Sequence, residues 1–539
     1  MESARLRPTA PRSGAASTSR SRWRSRSATT AVLLTVLGTS LVSPAAPPAA
    51  AAPREPRVLA GWEHERPAPG LDVYRGVLAD RPGASHWTVT LTGDDGPLRT
   101  ASAARDLAAR LRDAGHSPGT ERVTWPRGSD LSGLLGVRVR VGAFEEREGA
   151  EALQRALAAD GFDAIVEWTG SDGNTGTGET RVNVAVVDPR RFGGSLEASH
   201  GAGVAGREKV TDMAAAGTAG DALLAVNAGF FVMEDRDGVP GAPAGIGVYD
   251  GEVQSSAVNG RIALVLRGDG LRAELGRLST VSRISADGAR RELDGVNRRP
   301  GSIRNCGGVG GDRPTQRPLH DVTCTDAHEV VQFTDELGAA TPEGAGVEAV
   351  LDARGRVTEL RARGGPVPEG GSVLAGTGGG ADWLRAHAEP GTRVSLTHRV
   401  EDARGRPVRL GGGDDVVNGG PQLVRDGRVA LTTGAGGFAH PDDPGFAYAW
   451  ALKRHPRTMV GVDGRGRLLL VSASGRHPGH SDGLSLHEAA RFMDALGARG
   501  AMNLDGGGST AMALRGALLT RPSDAAGERA VGDALLLRN

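Results

Sequence analysis

Residues 484–512 read LSLHEAARFMDALGARGAMNLDGGGSTAM, a helix, a strand and a polar turn in immediate succession. Ser485 and Glu488 stand at the spacing of a capping box, in which each side chain satisfies a backbone amide of the first helical turn. Leu486, Ala489, Ala490, Phe492, Met493 and Leu496 form one broad apolar helix face, and Gly497 can end the helix. Capping therefore accounts for Glu488 better than catalysis does. The run at 501–504 then reads as a buried strand, closed by Asp505 and three glycines. A carboxylate directly behind a buried strand is costly unless paired or used. A two-residue hairpin does not need three glycines, so Asp505 is the leading candidate for chemistry.

Two upstream segments share this design. LLAVNAGFF (223–231) and VVNGGPQL (416–423) are short apolar runs ending in Asn227 and Asn418, each followed by glycine within two residues. Polar residues at the ends of neighbouring strands can converge on one rim, where glycines let a ligand approach the backbone. Read alone, Asn418-Gly419 is an ordinary turn pair. Further strands are expected at 182–187, 262–266, 347–351, 394–397 and 467–472, punctuated by Asp-Gly and Asn-Gly turns. Strands outnumber helices, which makes residues 181–539 one large mixed-sheet α+β domain.

Residues 86–169 repeat a pattern of strand, helix and strand, with Leu107, Leu111 and Ala114 on one helix face and Ala152, Leu153, Ala156 and Leu157 on the other. Two such halves predict a small split-βαβ, ferredoxin-like domain. Its second half, VRVRVGAFEEREGAEALQRALAADGFDAIV (137–166), resembles a SPOR domain, and that resemblance implies binding to peptidoglycan glycan strands. Read without it, Gly142-Ala143-Phe144 is a tight turn with a core aromatic. Residues 53–85 read as a Pro-rich linker with a strand near Leu71–Tyr74, and 170–180 as a flexible Gly/Thr/Asp linker.

The first 52 residues read as a secretory signal peptide: Arg20, Arg22, Arg24 and Arg26 precede a dozen apolar residues (31–42) and A-x-A cleavage options. No later stretch is long and apolar enough for a membrane span, so a secreted, cell-wall-associated protein is expected. In that oxidising setting Cys306 and Cys324 read as one disulfide, worth about 3 kcal/mol on the chain-entropy model, in preference to a nucleophilic thiol. Basic and acidic residues number 64 each, so bulk charge does not favour a nucleic-acid partner. Hydrophobic content of 39% is adequate for packed cores and excludes global disorder.

Four motifs in this order, VNAGFF, NGGPQLVRDGR, RHPRTMVGVDGRG and the helix–strand–glycine segment above, resemble the phosphodiester glycosidase family across 181–539. The resemblance implies hydrolysis of a sugar-1-phosphodiester, such as a GlcNAc-1-phosphodiester, at the glycosidic C–O bond, with no cofactor required. The residues suit that chemistry. A phosphomonoester leaving group has a second pKa near 6 and departs without strong acid assistance. The site then needs a carboxylate, for which Asp505 is the candidate, and cations or amides for phosphate. Arg457 and Arg476 are expected on phosphate, Asn227 and Asn418 on sugar hydroxyls. Gly229, Gly419, Gly506, Gly507, Gly508 and Ser509 are expected to bring backbone or hydroxyl groups to the substrate. His455 is a weaker acid–base candidate. Ser474 stands where the family pattern carries Asp, which keeps open an inactive, glycan-binding envelope protein. Asp235 and Asp237, with Glu234, are weak candidates for Ca²⁺, an acidic turn being the commoner explanation.

Overall fold

The computed structural model describes residues 56–80, 85–93, 96–175, 178–216, 221–258, 261–304, 313–319, 321–439 and 444–539. The expected signal peptide and Cys306 lie outside the described residues. Cys324 is fully buried on the strand Asp321–Thr325.

The central sheet has eight strands, in the order Glu63–Ala68, Leu71–Asp80, Gly178–Val187, Leu468–Ala473, Arg457–Asp463, Ala498–Asn503, Gln422–Arg425, Arg428–Val429, and every neighbouring pair is antiparallel. Both its faces are covered. Leu469, Val471, Met459 and Ala501 pack against the helix Leu486–Ala495 through Ala489, Phe492 and Met493. Leu468, Leu470, Val460 and Met502 pack the other way, against Leu224, Val226, Leu535 and Leu537 of a five-stranded sheet and Leu264 and Val417 of a second eight-stranded sheet. Double burial is why residues 468–471 are apolar without alternation.

The helix begins as its sequence predicts: Ser485 Oγ accepts the Glu488 amide at 3.2 Å and Glu488 accepts the Ser485 amide at 2.9 Å. Arg454 also pairs with Glu488 at 2.6 Å, which accounts for the carboxylate fully in structural terms.

Two linker expectations are corrected. Residues 63–80 are an edge hairpin of the central sheet, with Leu71 and Val73 fully buried, because their backbone pairs with Gly178–Val187. In the segment 170–180, Asp172 is pinned in a buried cluster with Arg138, Arg140 and Lys453, and 178–180 already belong to the sheet. The composition of each segment shows its turns but not the distant strand that captures it.

The small domain is ferredoxin-like. Strands Pro118–Thr124, Leu134–Phe144, Trp87–Leu91 and Ala164–Trp168 lie in that order, and helices Ala101–Asp113 and Arg147–Ala159 cover one face through Leu107, Leu111, Ala150 and Leu157. Among the described residues no helix is long and apolar enough to cross a membrane.

Candidate active site

Three strands end in asparagine, Leu224–Asn227, Asp415–Asn418 and Ala498–Asn503, and their ends meet on one rim. All three side chains are buried, and each ties down a neighbouring loop. Asn227 Nδ2 donates to the Asp505 carbonyl at 2.8 Å, while its Oδ1 accepts Thr458 Oγ1 at 2.6 Å and the Ala511 amide at 3.0 Å. Asn418 holds both backbone groups of Phe230, accepting its amide at 3.0 Å and donating to its carbonyl at 3.2 Å. Asn503 Nδ2 donates to the Gly420 carbonyl at 3.0 Å. The expectation that Asn227 and Asn418 hold sugar hydroxyls is therefore corrected: their amides are spent on loop backbones, which satisfies buried polar groups. Gly229 and Gly419 also lie behind the site, where a Cβ would come within 2.6 Å of Asn418 and 2.5 Å of Met502, respectively.

In front of this frame is a cavity of about 320 Å³. Asp505, Arg457, Arg476, His455, Gly506, Gly507, Gly508 and Ser509 line it, as the sequence predicts for this group. Asp505 is held by its backbone, with its amide on the Ala228 carbonyl at 2.9 Å and its carbonyl on Asn227. Its Oδ1 accepts the Gly506 amide at 2.9 Å.

The glycines serve close packing more than amide donation. The Gly507 amide is taken by the Pro456 carbonyl at 2.9 Å. Gly507 has φ +62° and lies under the Arg476 guanidinium, and Gly508 lies against Arg529, so a side chain at either position would displace an arginine from the cavity.

Arg457 is buried, donating to the carbonyls of Leu484 at 3.0 Å and Trp450 at 2.5 Å. Burial, reinforced by Arg476, pulls its pKa down to about 9. Arg476 has a left-handed backbone (φ 61°), and its Nε donates to His455 Nδ1 at 3.2 Å. Burial and then Arg529 lower the Arg476 pKa. Arg529, paired with Asp524 at 2.7 Å, completes a cationic wall.

His455 Nε2 donates to the Ala449 carbonyl at 2.6 Å, so both ring nitrogens are occupied in one neutral tautomer. Burial, with Arg457 and Arg476 nearby, pulls its pKa down to about 3. His455 thus positions Arg476 and stays uncharged, with its one ring proton held on Nε2. Because its folded pKa lies below the ordinary 6.5, the unfolded chain binds more protons between the two values, and stability falls as pH drops from 6.5 toward 3. Replacement by Gln is expected to remove that share of the acid loss, read as a smaller drop in denaturant midpoint between pH 7 and pH 4. An unchanged pH slope would refute the assignment.

The cavity also has an aromatic lining, which adjoins the arginines through Arg457, 5.6 Å over the Trp450 ring, and the sequence reading missed it. Phe438 and Trp450 stack at 4.5 Å, and Phe230 leans on both at 5.9 and 6.4 Å. Arg261 lies 4.4 Å over the Phe438 ring, away from the sequence motifs. Asp533 was also missed. It lies behind the site, where it accepts the Gly229 amide at 2.6 Å and the Tyr249 hydroxyl at 2.9 Å. Burial, with a small contribution from Asp505, raises its pKa to about 6. Only the NAGFF segment that Asp533 supports hinted at a buried acceptor.

Ser474 is buried outside the cavity lining, its Oγ accepting the Arg521 amide at 3.2 Å. Asp235 and Asp237 form a short turn in which Asp237 faces Arg236 at 3.8 Å. The three-carboxylate group found among the described residues is Asp294, Asp326 and Glu329, already bridged by Arg298 to Glu329 and by Arg291 to Asp294. The acidic turn therefore does not gather the ligand set that Ca²⁺ takes.

A family model described as phosphodiester glycosidase matches residues 345–538, and one described as SPOR domain matches 96–168. The mouse N-acetylglucosamine-1-phosphodiester alpha-N-acetylglucosaminidase is 44% identical over 68 residues, and that match spans 13% of each chain. A solved structure of a protein described as exported, from Burkholderia pseudomallei, is 32% identical, with a TM-score of 0.78 over 92% of this chain and 99% of that one. A hypothetical protein from Synechocystis, 19% identical over 88% of this chain and 75% of its own, shares the fold at a TM-score of 0.51. Three of the four motifs line one cavity and the Asn418 motif lies behind it; the chain carries a phosphodiester glycosidase domain, matched over 345–538, and ahead of it a SPOR domain, matched over 96–168.

Proposed function

We propose that the protein hydrolyses a sugar-1-phosphodiester of the cell envelope or an extracellular polysaccharide, a GlcNAc-1-phosphodiester or a close relative, outside the cytoplasm. The observation that carries this reading is the single cavity that gathers Asp505, three arginines and an aromatic lining. Trp450 and Phe230, half-buried at the cavity and backed by the fully buried Phe438, offer an apolar surface to a sugar, while Arg457, Arg476 and Arg529 match a phosphate. Water replaces phosphate at the anomeric carbon, and the proton it sheds on becoming the sugar hydroxyl passes to solvent. The C1–O bond breaks, its electrons go to the departing phosphomonoester, and the arginines stabilise the charge that accumulates there. Asp505 stabilises the oxocarbenium-like centre. No general acid is needed at the leaving oxygen, which fits a His455 held neutral. The SPOR domain supports an association with peptidoglycan that would concentrate the enzyme near its polymer.

Purified protein incubated with UDP-GlcNAc and with GlcNAc-1-phosphodiesters should release free sugar, and release should vanish on Asp505→Ala. Retention of several such compounds without turnover would instead favour a binding protein, the reading that Ser474 kept open. Co-sedimentation of the full chain with purified peptidoglycan tests the wall association, and no pelleting would remove it.

A further inference from the structure

The SPOR-domain sheet has a second face, and the glycosidase domain occupies it. Along Leu134–Phe144, Val137, Val139 and Val141 point into the helices, so Arg138 and Arg140 point the other way. Both arginines are buried. Arg138 Nη1 donates to the Tyr448 hydroxyl at 2.6 Å and to Asp172 at 2.8 Å, and Arg140 Nη1 donates to Asp172 at 2.5 Å. Beside them, Glu167 accepts from Lys453 Nζ at 2.5 Å. Leu98, Val123, Trp125 and Leu135 close an apolar cluster over Tyr448 and Leu452.

These contacts fall on the segment that builds the cavity. Tyr448–Leu452 is a single π-helical turn. Its Tyr448 hydroxyl is held by the SPOR domain, its Ala449 and Trp450 carbonyls are held by His455 and Arg457, and the Trp450 ring lines the cavity. A second contact reaches the other aromatic. Asp130, on the loop between two SPOR strands, accepts the amides of Gly434 and Ala435 at 3.0 and 2.7 Å. Leu431 is bracketed by Gly128 and Asp130, its amide donating at 2.7 Å and its carbonyl accepting at 2.9 Å. The loop anchored there carries Phe438 into its stack on Trp450.

We propose that the SPOR domain is a positioning element of the active site: its docking sets the Phe438–Trp450 wall and, through the Trp450 carbonyl, the Arg457 side chain. This rests on the hydrolase reading only for its kinetic consequence. On that reading Trp450, backed by Phe438, meets the sugar, while Arg457 keeps its second anchor, the Leu484 carbonyl, so loosening the wall weakens substrate affinity more than it slows the chemical step at Asp505.

The test uses the full chain with Asp130→Ala, which removes an exposed carboxylate, and Tyr448→Phe, which keeps the ring and removes the hydroxyl. Asp130→Asn is the conservative control, retaining one acceptor oxygen. Amide hydrogen exchange should quicken at least about tenfold over 431–438 in the first variant and over 448–452 in the second. KM for a GlcNAc-1-phosphodiester should rise about three- to tenfold with kcat within about twofold, and Asn at 130 should recover much of the change. Unchanged exchange in these segments, or faster exchange with an unchanged KM, would overturn the proposal. A wild-type chain that releases no sugar defeats the hydrolase reading alone, and the exchange rates then decide the positioning role.

Discussion

Asp505→Asn is expected to lower kcat by at least about 10³-fold, on the order of 4 kcal/mol of barrier, with the unfolding midpoint nearly unchanged. The separation of activity from stability follows from how the residue is held. Its amide and carbonyl are bound to Ala228 and Asn227, so the frame survives a change of side chain. Asn is isosteric and keeps an oxygen for the Gly506 amide, now accepted by Asp505 Oδ1 at 2.9 Å. What it loses is the negative charge that the proposed reaction sets against the anomeric carbon, and in a cavity shared with three arginines no other lining residue is acidic among those described. Substrate affinity should change only a few-fold, because the arginines and aromatics remain. Retention of more than a tenth of wild-type kcat would rule Asp505 out as the reacting carboxylate.

Arg457→Met should lower kcat/KM by about 10²- to 10³-fold, the cost of losing one preorganised group on a charge that develops in the transition state. Its effect on stability separates this residue from an ordinary buried ion pair. Arg457 bonds two carbonyls, and no carboxylate hydrogen-bonds to it among the described residues. Burial and Arg476 pull its pKa to about 9, so a folded chain at neutral pH carries a disfavoured cation. The folded value lies below the ordinary 12.5, the unfolded chain binds more protons between the two, and the full penalty is therefore present below pH 9 and relieved only as pH rises above it. An anion between the arginines offsets that penalty. Inorganic phosphate at 100 times its Kd should stabilise the wild-type protein at pH 7 by about 2.7 kcal/mol, read as a raised Tm. Arg457→Met should lose most of this protection while folding at least as stably without phosphate. Undiminished phosphate protection in the variant would place the anion elsewhere.

Domain docking changes what the SPOR resemblance means for this chain. One sheet face is filled by its own helices and the centre of the other by the glycosidase domain, with Glu121 and Ile165 left exposed at its margins, so a glycan strand would have to meet those margins, the helices or the loops. The proposed wall association and the proposed active-site positioning are then separable by experiment. Peptidoglycan co-sedimentation measures the first; exchange rates in 431–438 and 448–452 measure the second.

The sequence by itself determined the local structure. Capping at Ser485 and Glu488, the apolar helix face, the strands ending at Asn227 and Asn418, the ferredoxin-like order of the small domain and the gathering of Asp505, Arg457 and Arg476 all depend on neighbours in the chain or on recognisable motifs. Tertiary structure decided which of those polar groups remain for a ligand. Asn227 and Asn418 look identical in sequence to residues that bind sugars, and only the folded rim shows their amides spent on the loops of Asp505 and Phe230. The aromatic wall was invisible because Phe230, Phe438 and Trp450 come from separate segments with no shared periodicity. The same holds for residues 63–80, whose strand character comes from a partner far along the chain. Periodicity and capping report contacts within a few residues, whereas cavity walls, sheet edges and domain docking are long-range pairings that exist only once the chain has closed.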